Sequence, residues 1–83
     1  MNKSIRHNIS LERHNLTKEM KLDLYTMRNT RAIPVINFIE GRLCGMAAAY
    51  HILGIIDMKA RRRYIDIIVD TAYKRRKELA NEV

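Results

Sequence analysis

The stretch PVINFIEGRLCGMAAAYHILG, Pro34 to Gly54, decides the fold. Within it Ile36, Ile39, Leu43, Met46, Tyr50 and Leu53 recur at alternating steps of three and four, a heptad seam on one side of a helix. Pro34 suits the first turn, where its missing amide would have had no partner. Gly54 stands where a left-handed residue ends a helix, and Ile55 is placed to fold back on the last turn. Asp57 then reads as the cap of a further helix from Met58 to about Ala80. So short a connection predicts that the two helices fold back as a long antiparallel hairpin. On the last helix Met58, Ile65, Ile68, Val69, Ala72 and Leu79 share one face. Lys59, Arg63, Asp66, Asp70, Lys74 and Lys77 share the other.

Upstream, Leu16, Met20, Leu24 and Met27 are spaced as one face of a helix over residues 16–28, with Asn15 or Thr17 as its cap. Asn29, Thr30 and Arg31 form a polar break. Residues 1–14 are polar with no sustained helical period, which predicts a flexible basic arm or, alternatively, an arm that contacts phosphates. The expectation is an all-α chain: an N-terminal arm over 1–14, then one helical domain over 15–83, made of one helix and the hairpin. No strand signal, repeat or low-complexity stretch interrupts it.

A chain of 83 residues has room for one small core. Cores below about 70–80 residues rarely supply more than ~3–5 kcal/mol, so something usually reinforces them. Disulfides within the chain are excluded, because Cys44 is the single cysteine. His7, His14 and His51 have no metal-ligand spacing, so neither a metal nor a cofactor is expected. Self-association is the remaining route, and it predicts a homodimeric helical bundle.

Gly41, Gly45 and Ala49 lie four residues apart and form a stripe almost without side chains. A glycine inside a helix costs roughly 0.8–1.0 kcal/mol relative to alanine, so the pair calls for close approach of another backbone. That backbone belongs either to a neighbouring helix or to a second copy of the chain. The seam residues Ile39, Leu43, Met46 and Tyr50 are the other candidates for helix-helix or dimer contact. Ile67, on the charged side of the last helix, also suits a partner.

Charge is distributed unevenly. Residues 1–31 carry seven Lys/Arg against three acids, 32–57 carry one against two, and 58–83 carry eight against four. The net charge of +7 and its two basic ends attract polyanions. The candidate partner-binding residues are Arg61, Arg62, Arg63, Lys74, Arg75, Arg76 and Lys77, in two clusters roughly 20 Å apart along a helix rising ~1.5 Å per residue. They suit separate phosphates of a nucleic acid or an acidic protein surface. A solvated face is the plain alternative, with Arg62 reaching Asp66 and Asp70 reaching Lys74 at i,i+4. Measured from Gly54, the apolar positions of a helix-turn-helix fall on Ala60 and Arg63, and Arg63 fails. Stacking on single strands would draw on Tyr25, Tyr50, Tyr64, Tyr73 and Phe38, of which Tyr50 belongs to the seam.

Catalytic signatures are missing: no phosphate loop, no G-x-S-x-G, no facing acids. Cys44 and His51 on one straight helix stand about 10 Å apart, beyond hydrogen-bond reach. The expected function is a non-enzymatic regulatory module binding nucleic acid. The alternative is a protein-binding inhibitor, such as an antitoxin, an immunity protein or a phage- or plasmid-type blocker of a host enzyme. Neither a small-molecule substrate nor a membrane partner is expected. The longest uncharged run, Leu43 to Ile56, falls short of the roughly 20 residues a span needs. With no apolar run after its first residues and one free thiol, the chain is expected in the cytoplasm.

Overall fold

The computed structural model describes the backbone of residues 3–82 and the side chains of Leu11 and of residues 13–82. It is all-helical: α1 (Lys3–Asn29), α2 (Ile33–Ile52) and α3 (Met58–Asn81), with no strand among the described residues. Each helix touches the other two, and α2 and α3 share the most extensive contact.

α1 begins earlier than the residue-16 start that the apolar spacing implied. Residues 3–14 continue the helix, while Met1 and Asn2 lie outside the described residues. The chain carries no glycine or proline before Pro34. A helix already formed by Leu16–Met27 therefore extends backwards, gaining one backbone bond for each residue fixed. Asn15 and Thr17 lie inside the helix rather than at its cap. The Thr17 hydroxyl donates to the Arg13 carbonyl at 3.0 Å. Arg13 Nε donates to the Ile55 carbonyl at 2.7 Å, so the helical body reaches earlier than residue 15.

The polar break falls where expected. The Thr30 amide closes α1 on Thr26 at 2.9 Å, and the Asn29 side-chain amide donates to the Tyr25 carbonyl at 2.7 Å. Thr30 Oγ1 then accepts from the Ala32 amide at 3.2 Å, and Pro34 lies in the first turn of α2.

α2 ends in a Schellman turn. The Ile55 amide bonds the Tyr50 carbonyl at 2.9 Å, and the Gly54 amide bonds that of His51 at 3.0 Å. Gly54 has φ +77, a conformation that costs L-residues roughly 1–2 kcal/mol. Asp57 caps α3 by accepting from the Ala60 amide at 2.8 Å.

The core is formed by Leu16, Met20, Leu24 and Met27 of α1, Ile36, Ile39, Leu43 and Ala47 of α2, Ile56 of the turn, and Ile68 and Ala72 of α3. Met46, Tyr50, Tyr64 and Leu79 pack at its edge. The heptad seam thus faces inward except at Leu53, which is 70% exposed because the chain leaves the bundle at the Schellman turn. On α3 the apolar face is narrower than the spacing implied. Met58 and Val69 are exposed, and the buried side turns through Tyr64, Ile68 and Ala72.

Candidate functional site

The basic residues of α3 divide into two groups. Arg75 is largely enclosed, with a side chain 13% exposed. Its Nε donates to the Thr30 carbonyl at 3.0 Å, across the joint between α1 and α2. Its Nη1 reaches Glu78 at 2.8 Å. Arg76 Nη1 donates to Asn37 at 3.2 Å and to Glu40 at 3.1 Å, bridging α3 to α2. Arg61 Nη1 lies 3.1 Å from His51 Nδ1. A guanidinium can only donate, so Nδ1 is the accepting atom of this contact. Lys74 pairs with Asp70 at 3.1 Å, as the i,i+4 spacing implied.

Lys59, Arg62, Arg63 and Lys77 form the second group. All four are exposed, and among the described residues none makes an ion pair. Of the two i,i+4 pairs that the solvated-face alternative offered, Arg62 and Asp66 make no ion pair among the described residues, and both are exposed. Lys59, Arg62 and Arg63 crowd the first two turns of α3, and Lys77 projects from its far end. Exposed Asp66 and Asp70 lie between them.

Further ion pairs join segments distant in sequence. Arg31 Nη2 donates to Glu82 at 2.6 Å. Arg42 of α2 lies 3.9 Å from Glu19 and 3.7 Å from Asp23 of α1. Asp23 Oδ2 is buried without a hydrogen bond, so the nearby guanidinium offsets its desolvation only through its charge.

A second surface is apolar. Gly41, Gly45 and Ala49 are exposed, and a Cβ added at either glycine would meet nothing within 4 Å. Close approach of α1 or α3 therefore does not explain the stripe. Ile39 and Leu43, by contrast, are buried between helices of the same chain, with Met46 and Tyr50 partly covered there. Around the stripe stand Phe38 and Ile52, respectively 68% and 79% exposed. Ile67 is exposed as well. Of the other aromatics, Tyr25 and Tyr73 face solvent and Tyr64 packs at the core edge. Spacing alone offers Phe38 only as a stacking ring; the signal for its place on this surface is the uncharged row Phe38, Gly41, Gly45, Ala49 and Ile52.

No protein-family model, curated protein or solved structure matches this chain. Its chemistry must be read from its own residues.

Two grooves open to solvent. The larger, about 430 Å³, is lined by Arg31, Ile33, Arg76, Leu79, Ala80 and Glu82. Its charged groups are already engaged, Arg31 with Glu82 and Arg76 with Glu40. The smaller, about 260 Å³, lies between Arg13, Ile56, Asp57, Ala60 and Tyr64, where Arg13 and Asp57 bond the backbone. Among the described residues no three His, Cys, Asp or Glu side chains converge as a metal site would require. No helix of the described residues is long and apolar enough to cross a membrane. Burial pushes the Cys44 thiol above its ordinary 9.0, and the Glu40 carboxylate adds to the shift. That favours the thiol over the nucleophilic thiolate.

Proposed function

We propose that this chain is a small non-enzymatic module that binds nucleic acid as a homodimer, with Lys59, Arg62, Arg63 and Lys77 facing the phosphates. The observation carrying this reading is the division of the cations. Arg61, Lys74, Arg75 and Arg76 have partners inside the chain, whereas these four point into solvent without an ion pair among the described residues. The reading takes α2 and α3 as an antiparallel hairpin. In its favour, Arg61 near the start of α3 meets His51 near the end of α2, and Arg76 reaches back to Asn37 and Glu40. A reducing cytoplasm suits the free Cys44.

Phosphate binding releases counterions, about 0.9 per contact on a duplex. Four contacts per chain, eight in the dimer, then weaken affinity on the order of ten-thousandfold between about 50 and 200 mM salt. Fluorescence anisotropy with a labelled DNA duplex and a single-stranded RNA, each with heparin as competitor, measures this. Affinity that holds across the salt range overturns the reading. It would favour the second one, a protein-binding inhibitor, which the exposed Phe38 and Ile52 and the acids between the cations support.

A further inference from the structure

α2 is apolar over much of its surface, interrupted by Asn37, Glu40, Arg42 and His51, and apolar helix surface is normally covered. Within the chain its neighbours cover Ile36, Ile39, Leu43 and Ala47. At 100° per residue, the opposite side carries Pro34, Phe38, Gly41, Gly45, Ala49 and Ile52, with no charge among them. All six are exposed.

The order of sizes on this face is symmetric about Gly45. Gly41 and Ala49 lie four residues before and after it, and Phe38 and Ile52 lie seven before and after. Two such helices that cross antiparallel put Gly45 opposite Gly45, Gly41 opposite the partner's Ala49, and Phe38 opposite the partner's Ile52. The gap between crossing helices is smallest at the crossing point and widens along both axes. Small residues at the centre and bulky ones two turns out fill a gap of that shape. An interface that pairs residue i with j and j with i is what a two-fold dimer requires.

A further observation favours a second copy as the occupant. The face is uncharged, so two chains of net charge +7 meet without opposing like charges. Arg42, at its edge, already faces Glu19 and Asp23.

We infer that the outer face of α2 packs against the same face of a second copy, antiparallel across a two-fold axis beside Gly45. The inference rests on the homodimeric reading above and fixes its interface.

Sedimentation equilibrium tests it on the full chain, beside the variants Gly45→Leu and Phe38→Asp. The wild type should have twice the mass of the 9.8 kDa chain, and both variants the mass of one. Gly45→Leu should keep its helical signal, because its Cβ meets nothing within 4 Å in the single chain. Oxidation of a Cys44→Ser/Gly45→Cys chain, compared with Cys44→Ser/Ile67→Cys, gives a readout independent of the bulky variants. The first should cross-link to a covalent dimer and the second should not. A dimeric wild type whose variants stay dimeric, or whose Gly45→Cys chain fails to cross-link, overturns this interface and leaves the homodimer standing. A monomeric wild type overturns both. If that monomer floats with phosphatidylserine vesicles, the face belongs to lipid.

Discussion

Arg75 and the Arg62–Arg63 pair should respond to alanine in opposite ways. The Arg75 side chain is nearly enclosed, and it donates to the Thr30 carbonyl where α1 gives way to α2. A hydrogen bond from a charged donor contributes about 1.5–3 kcal/mol. Its pair with the exposed Glu78, at i,i+3, adds only about 0.2–0.5 kcal/mol. Arg75→Ala should therefore cost about 2–3 kcal/mol. In a domain of this size that lowers Tm by roughly 10–20 °C. Arg62 and Arg63 hold nothing in the described bundle, so the double alanine variant should stay within about 0.5 kcal/mol of wild type. It should instead reduce the salt slope of duplex binding by about 1.8 per chain. Far-UV circular dichroism melts at one fixed chain concentration give the first quantity, and anisotropy titrations give the second. If Arg75→Ala melts with the wild type while the Arg62/Arg63 variant loses stability and keeps its salt slope, the division of the cations is wrong.

Other perturbations are expected to act as follows. Gly54→Ala should lose about 1–2 kcal/mol in chemical denaturation, because alanine must take up a φ of +77 there; no loss would mean the turn relaxes. Asp57→Ala removes the acceptor for the Ala60 amide and should lose about 1 kcal/mol in the same assay. Leu43→Ala, at the fully buried centre of α2, should cost about 2–5 kcal/mol. Cys44 has its folded pKa raised above 9.0, so the associated stability is complete below pH 9.0 and is lost as pH rises through the higher folded value. Denaturation midpoints of wild type and Cys44→Ser should therefore diverge only in alkaline buffer, and Glu40→Gln should bring the Cys44 shift down in thiol alkylation rates.

The helical framework was legible wherever local chemistry dictates it. Pro34, the polar break at Asn29–Arg31, the left-handed Gly54 and the Asp57 cap all act within a few residues of themselves, so sequence spacing reveals them. The early start of α1 was not legible, because apolar periodicity reports burial rather than helicity, and the residues before Leu16 supply no sustained period. The roles of Arg75 and Arg76 were hidden for a different reason. Their partners Thr30, Asn37 and Glu40 lie far away in the chain, and i,i+4 reasoning looks only along one helix. The small stripe was visible as a pattern, but its outward orientation depended on which side of α2 the seam would bury.

The unequal sharing of contact among the helices also bears on how the molecule moves. α2 and α3 are joined by a short turn and by the most extensive contact, while α1 touches each of them less. A local opening event should then release α1 as a unit and leave its two neighbours together. Its fasteners are the apolar row from Leu16 to Met27, the Arg13 bond to Ile55 at one end and the Arg75 bond to Thr30 at the other. A detached α1 would uncover the inner side of α2. With α3 still in place, that uncovered side would add to the apolar surface already exposed at Phe38 and Ile52, so the docking of α1 guards against clumping as well as adding stability.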